Sequence, residues 1–375
     1  MSEQFNNKDY GDYFSAVERS IERKRDVKDT NTKPTVKQTK KRKRFLGGIY
    51  RIRPIVPITA LALVIIIVIL ILCIPSKNAA LPQDTNPDRT VNEQALDVKE
   101  STETPKVNLV AEFTDNTADI PADFTSGNII VVNCETNEVV AGRDATAKCY
   151  PASTTKIMTV LTAADYITNF DKTFTFSYEV TDPFYLQQAT MAGFAADEAV
   201  TMTDLFYGAI LPSGADGCAG LAITIAGSEQ EFAKLMNKKA KELGLKNSNF
   251  TNATGLFDKN HYTTPEDMAV IVRAAMQNEF LRKVLSTYQY TTASTPQHPD
   301  GILLTSTLFS CMYGTEPEGS DIIGGKTGFV SESGYCIASF GHSDGGTEYV
   351  CVTLNGLSQW PTVYDQIDLY TEYAK

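Results

Sequence analysis

The chain has little of what a metal site needs. Only three histidines occur in 375 residues, and none of them belongs to an H-E-x-x-H pattern. The seven cysteines show no C-x-x-C spacing. Zinc sites are built from clustered cysteine and histidine ligands at short, regular spacings. The sequence therefore predicts no metal centre, and no other motif in it indicates a bound cofactor.

Acidic residues are missing from residues 33–53. The first 53 residues hold 15 Lys or Arg against 7 Asp or Glu, a net charge of +8. The whole chain carries −11, so residues 54–375 carry −19. A basic run such as Lys40–Arg44 can bind nucleic acid, but this one leads into an apolar segment, which favours a membrane-flanking role. The acidity of the remainder argues against nucleic acid as a partner.

Charge is absent from residues 55–74, which consist mostly of Ile, Leu and Val. A helix of 20 residues spans about 30 Å, the thickness of the hydrocarbon core of a bilayer. A cleaved signal peptide is disfavoured because the preceding segment is long and no A-x-A-like site follows closely. We expect a single-pass protein of the cell membrane. Its basic residues 1–54 would lie in the cytoplasm and the rest of the chain outside.

Aromatic residues are nearly absent from residues 75–117, where Phe113 is the only one. Four prolines are scattered there among Asn, Asp, Glu and Thr. Such a composition cannot bury a core, so we predict a disordered extracellular stalk. The folded domain is then expected to cover residues 118–375.

Patterns in the domain predict strands near both of its ends and helices between them. An apolar, β-rich run over 127–133 and a late hairpin, 335–340 with 348–354, are typical strands. Helices are predicted from 153 to 166, after Ser228, after Thr264 and over 363–373. This order indicates an α/β (α+β) fold with an antiparallel sheet flanked by helices. Six cysteines follow the predicted span and allow disulfides, and their pairing stays open. Cys336 and Cys351, on the paired late strands, are the favoured couple.

Three short motifs follow one another in this domain. Ser153-Thr154-Thr155-Lys156 opens an apolar-periodic run, so a hydroxyl and an amine would project from one helix face. Serine needs a group that accepts its proton, and a neutral lysine can do this. Ser213-Gly214-Ala215 and Lys326-Thr327-Gly328 follow downstream. Alone, the three would be a solvated helix start, an ordinary turn and an ordinary strand end.

Taken together, the motifs resemble those of the D-alanyl-D-alanine carboxypeptidases, low-molecular-mass penicillin-binding proteins of the serine β-lactamase/transpeptidase-like superfamily. The resemblance runs from about residue 127 to about residue 356. It includes segments 149–159, 204–208 and 261–268. It implies a second, mostly helical lobe, with the active site in the cleft between this lobe and the sheet.

The resemblance also implies an acyl-enzyme mechanism. Ser153 would be the nucleophile, Lys156 its base and Ser213 the hydroxyl that passes a proton to the leaving group. The substrate would be a peptidoglycan stem peptide ending in D-Ala-D-Ala, with β-lactams as inhibitors. The implied substrate-binding residues are Lys326, Thr327, Gly328 and Phe329. A lysine base must have a lowered pKa, and burial together with the charge of Lys326 is expected to lower it.

Two departures from the family pattern leave alternatives open. The position that is usually asparagine is Ala215, and we expect the adjacent Asp216 to substitute for it in part. No Lys or Arg occurs between Gly328 and Ala374, so no late-strand arginine can hold the substrate carboxylate.

The alternative functions are a binding protein without turnover, an endopeptidase acting on cross-linked peptides, and a β-lactamase. For the last, a class A deacylation loop has no clear counterpart. His261 is expected to shape a loop.

Overall fold

The computed structural model of the chain describes residues 108–375. The predicted cytoplasmic segment, the predicted membrane span over residues 55–74 and most of the predicted stalk lie outside the described residues. Among residues 108–375, no helix combines the length and apolarity that crossing a membrane requires.

Strands and helices of the described part are numbered in chain order. The strands are β1 (Ala118–Asp119), β2 (Ser126–Asn133), β3 (Glu138–Arg143), β4 (Thr173–Thr175), β5 (Ala199–Thr201), β6 (Gln289–Thr291), β7 (Leu303–Thr305), β8 (Ser320–Val330), β9 (Gly334–Ser343) and β10 (Glu348–Gly356). The α-helices are α1 (Thr155–Ala164), α2 (Tyr178–Leu186), α3 (Met202–Ile210), α4 (Ala215–Ala226), α5 (Glu229–Glu242), α6 (Pro265–Met276), α7 (Glu279–Leu285), α8 (Thr307–Met312) and α9 (Gln359–Tyr373).

A six-stranded sheet in the order β1-β3-β2-β10-β9-β8 unites the two ends of the domain. Its neighbours pair antiparallel except β1 with β3. β2 is buried on both faces: Ile130 and Val132 pack towards the larger core, whereas Ile129 and Val131 pack towards α9. A continuous apolar run is typical of such a strand. The predicted antiparallel sheet flanked by helices is confirmed, and β8 lies at its edge.

Local signals fix the helices that support the cleft. The Ser228 hydroxyl accepts from the Glu231 N–H at 3.2 Å and caps α5, and Thr264 caps α6 with Pro265 at its first position. α1 is buried along nearly its whole length. A helix that is largely apolar all round belongs in a core. Packing from every side therefore holds the start of α1 in place.

The folded unit begins upstream of the predicted boundary at residue 118. Leu109 and Ala111 are buried in the larger core, and Glu112 pairs with Glu138. The buried Arg273 guanidinium donates to the Leu109 carbonyl at 2.6 Å. The folded domain thus includes the last residues of the predicted stalk. Leu109 and Ala111 are apolar residues of this segment, and they pack in the core of the domain.

The predicted disulfide is wrong. All six cysteines of residues 108–375 are free thiols. Cys351 pairs with Ser339 across the β9–β10 ladder, three residues from Cys336. Since side chains alternate along a strand, an odd offset places the two cysteines on opposite faces of the sheet. Cys336 accordingly packs in the larger core and Cys351 in the core beneath α9.

Candidate active site

Ser153 lies in a turn of 3₁₀-helix, Ala152–Thr154, that leads into α1. Lys156 Nζ is 2.9 Å from Ser153 Oγ and donates to the Thr254 carbonyl at 2.6 Å. The predicted contact between hydroxyl and amine is therefore present. Burial lowers the pKa of Lys156, although the nearby Cys218, Asp216 and Glu229 act in the opposite direction. A lysine with a lowered pKa can be neutral and accept the serine proton.

Backbone strain is concentrated around this serine. Seven non-glycine residues among 108–375 have a positive φ, and four of them are Asn or Asp, which tolerate it. The other three are Ala152 (47°), Gln188 (55°) and Ser213 (69°). Ala152 directly precedes the nucleophile, and Gln188 and Ser213 line the same cleft. Such strain persists only where surrounding structure enforces it, and it often marks functional sites.

Two glycines allow the segments around Ser153 to approach each other. A Cβ on Gly328 would lie 2.7 Å from the Ser153 nitrogen. A Cβ on Gly255, whose φ is +78°, would lie 1.9 Å from the Ala152 carbonyl oxygen. The edge strand β8 therefore passes directly beside the nucleophile. The N–H groups of Ser153 and Phe329, next to Gly328, belong to these two adjoining segments.

Lys326 is buried on the other side of the cleft, with 1% of its surface exposed. Its Nζ donates to the Thr327 carbonyl at 2.8 Å and to Thr307 Oγ1 at 3.3 Å. The hydroxyls of Thr307 and Thr327 are 2.7 Å apart. Burial holds the pKa of Lys326 well below its ordinary value, and the charge of Lys156 lowers it further. The charge of Lys326 was expected to lower the pKa of Lys156, but the repulsion between the two lysines lowers the pKa of Lys326 instead.

Asp216 does not take the place of the missing asparagine. Its buried carboxylate accepts four backbone N–H groups, from Ala192, Gly193, Phe194 and Gly217, at 2.8–3.2 Å. Burial raises its pKa, and these hydrogen bonds oppose the rise. The carboxylate therefore joins segment 192–194 to α4. Ala215 borders the cleft, but it is almost fully buried and belongs to an apolar cluster with Phe184 and Ala219.

His261 has the structural role that was predicted. Its Nε2 is 2.8 Å from Thr155 Oγ1, and its Nδ1 accepts from the Thr251 N–H at 3.2 Å. Burial lowers the pKa of this imidazole to about 4, so it is neutral at physiological pH. The ring links loop 251–261 to the first turn of α1.

Two cavities meet at Ser153, and Thr190, Ser213 and Phe329 border both. One, of about 410 Å³, extends past Thr307 and Thr327 and has no charged residue in its lining. The other, of about 500 Å³, contains Lys156 and Glu332 as its charged residues. The sequence analysis missed six residues at this site: Thr190, Gln188, Thr254, Phe257, Thr307 and Glu332. None lies in a recognisable motif, and only the fold brings them to Ser153.

A serine hydroxyl paired with a buried lysine, beside the closely approaching edge strand β8, is equipped for acyl transfer. The fold and the site together are those of a Ser–Lys acyl-transfer enzyme. The chain belongs to the D-alanyl-D-alanine carboxypeptidase family, peptidase family S11, whose model matches residues 114–358.

Relatives and solved structures agree with this family. The D-alanyl-D-alanine carboxypeptidase DacF of Bacillus subtilis is 31% identical over 216 residues, which cover 56% of this chain and 52% of that protein. The chain thus spans about half the length of that relative. A D-alanyl-D-alanine carboxypeptidase of Streptomyces strain K15 is 30% identical and is covered to 72%. The crystal structure of the Streptomyces K15 DD-transpeptidase matches with a TM-score of 0.59 at 27% identity, covering 66% of this chain and 97% of that one.

Proposed function

We propose that this protein is a serine D-alanyl-D-alanine carboxypeptidase that removes the terminal D-Ala from peptidoglycan stem peptides and is acylated by penicillins. The observation that carries the proposal is the 2.9 Å contact between Lys156 Nζ and Ser153 Oγ, within a domain that belongs to this family. A hydroxyl beside a buried amine is an activated nucleophile.

In the acylation step, neutral Lys156 takes the proton of Ser153 while Oγ attacks the carbonyl of the penultimate D-Ala. The resulting oxyanion is stabilised by the N–H groups of Ser153 and Phe329, which Gly328 allows to converge. The Ser213 hydroxyl passes a proton to the departing amine and regains one from protonated Lys156, and D-Ala leaves. Water then attacks the acyl-enzyme and gives a proton to the neutral Lys156, which returns it to Ser153 Oγ as the acyl–oxygen bond breaks.

The substrate would bind as an extended strand along the free edge of β8. Its terminal carboxylate would rest on Thr327, with Lys326 behind it. No arginine lines either described cavity at Ser153, and Lys156 is the only lysine that does. The carboxylate would therefore rely on the Thr307 and Thr327 hydroxyls, with the buried Lys326 bonded behind them.

A relative that binds cell-wall peptide without turnover is the second candidate, and the observation that favours it is the methyl group of Ala215. A fluorescent penicillin, followed by an assay of D-Ala release from a diacylated lysyl-D-Ala-D-Ala peptide, distinguishes the two. Labelling with release is expected. Labelling without release would support the binding protein, and absence of labelling would contradict both.

We also propose that residues 55–74 anchor the protein in the cell membrane, with residues 1–54 in the cytoplasm and the catalytic domain outside. The support is the uncharged run of 20 residues and its strongly basic flank. An extracellular domain would meet peptidoglycan directly.

A further inference from the structure

The cavity on the Lys156 side of Ser153 has an unusual charge pattern. It contains one buried cation, Lys156, which is already bonded to the Thr254 carbonyl and adjoins Ser153. Its other charged residue is Glu332, an exposed side chain in the turn between β8 and β9. Among the ion pairs of residues 108–375, none involves Glu332. The rim of this cavity therefore offers an uncompensated carboxylate to a ligand.

The binding direction of the substrate, which rests on the function proposed above, brings one residue close to Glu332. The terminal carboxylate lies at Lys326 and Thr327, and the attacked carbonyl lies at the Phe329 N–H. The peptide then continues from Phe329 towards residues 330–332, antiparallel to β8. An extended residue advances about 3.3 Å. The residue that precedes the D-Ala-D-Ala unit is thus level with Val330 and Ser331, within reach of the Glu332 side chain.

The wall of the same cavity suits a long alkyl chain. Leu256, Phe257 and Val330 line it. Phe257 is 45% exposed, and its ring is held edge-on against Tyr150 at 5.0 Å. A side chain that lays a methylene stem on apolar surface and directs a charged head to the rim makes use of both features. The strained Gln188 also lines this cavity.

We propose that Glu332 is a specificity-determining residue that binds an ammonium group on the side chain preceding D-Ala-D-Ala. The carboxylate and the ammonium would form a partly exposed ion pair at the cavity rim. Such pairs change affinity by about two- to fivefold, and salt weakens them. The proposal adds to the proposed function a preference for a cationic residue in the third position from the peptide's C-terminus.

The test compares two peptides, Nα-acetyl-lysyl-D-Ala-D-Ala with a free ε-amine and the same peptide acetylated at that amine. The wild-type protein is expected to favour the free amine about two- to fivefold in kcat/KM at low salt. Glu332→Gln should abolish this preference, so that the two peptides are turned over with equal kcat/KM. Glu332→Lys should reverse the preference. The matched control is Glu138→Gln. Glu138 is an exposed residue of β3, which three strands separate from β8 in the sheet, and this variant should behave as wild type.

A wild-type protein without preference, or a preference that Glu332→Gln leaves intact, would overturn the proposal. Failure of the proposed function has a different signature, since neither peptide would then release D-Ala. In that case the wild type and the three variants are compared in a competition assay. The assay measures how strongly each peptide inhibits labelling with fluorescent penicillin, and the peptide has only to bind in order to inhibit. A free-amine advantage that depends on Glu332 would support the assignment there too, and its absence would reject it.

Discussion

Lys156 and Lys326 are both buried, and the charge of Lys156 lowers the pKa of Lys326. Two ammonium groups so placed are difficult to maintain together. An incoming substrate carboxylate would favour protonation of Lys326, and this would in turn disfavour a proton on Lys156. Substrate binding would thereby help to keep the base neutral at the moment when it has to accept the serine proton.

Ser153→Ala is expected to abolish both penicillin labelling and D-Ala release, because the acyl-enzyme can form only on its hydroxyl. Mass spectrometry of the penicillin adduct on the wild-type protein locates the acylated residue. An adduct on Ser213 would show that the nucleophile is assigned incorrectly.

Lys156→Arg is expected to be nearly inactive, since a guanidinium stays protonated and cannot act as a base. In the wild type, acylation should fall as pH drops through the lowered pKa of Lys156, because the amine is neutral only above that pKa. Rates of penicillin acylation against pH measure this. The exposed Lys238 on α5 provides the control, and Lys238→Arg should leave the pH profile unchanged. An active Lys156→Arg variant would exclude lysine as the base.

Ala215→Asn is expected to raise kcat/KM about fivefold, since a new hydrogen bond to the substrate amide is worth about 1 kcal/mol. Ala215 is one of the residues that line the cavity, so an amide at this position would adjoin the bound peptide. Steady-state kinetics of D-Ala release provide the measurement. No gain, with the fold intact, would mean that another group already makes this contact.

Asp216→Ala is expected to lower the free energy of unfolding by about 1–3 kcal/mol, because four backbone N–H groups would lose their acceptor. Denaturant unfolding followed by circular dichroism measures the loss. Unchanged stability accompanied by loss of turnover would instead place Asp216 in direct contact with the substrate.

Gly328→Ala is expected to reduce acylation strongly, because the added methyl group would lie 2.7 Å from the Ser153 nitrogen and force β8 away from it. The matched control is Gly345→Ala in the exposed β9–β10 turn, where the nearest atom is 3.5 Å away. Acylation rates and circular dichroism spectra of both variants are compared. Wild-type rates for Gly328→Ala would argue against the oxyanion hole assigned to Ser153 and Phe329.

The membrane topology can be tested with intact protoplasts. External protease should remove the catalytic domain and spare a tag at the N-terminus, because the basic flank is expected to stay inside. Loss of the tag together with a protected domain would reverse the proposed orientation.

Local signals predicted much of the fold. The capping residues Ser228 and Thr264, the apolar run of β2 and the late hairpin each depend on near neighbours in the chain, and each was found. The Cys336–Cys351 pairing failed because it depended on strand register, which fixes the face on which each side chain lies. Pairing of strands alone does not determine that face.

The site was predictable only where a motif carries its chemistry. Ser153 and Lys156 contact each other through helical spacing, which a sequence displays. Thr254 and Thr307 bond the two lysines from distant segments, and their sequence neighbourhoods are ordinary. Asp216 was misjudged because adjacency to the motif suggested a contact with substrate, whereas the fold turns its carboxylate towards backbone N–H groups.

The seclusion of Lys326 bears on how the protein would respond to ionic strength. With 1% of its surface exposed, this ammonium lies where dissolved ions hardly screen it. Glu332 is exposed at the other end of the bound peptide, where added salt weakens an ion pair. Raising the salt concentration should therefore leave the affinity for the terminal carboxylate nearly constant. The same change should reduce the preference for a cationic third residue. At high ionic strength, the protein would still bind D-Ala-D-Ala and become less selective for the residue that precedes it.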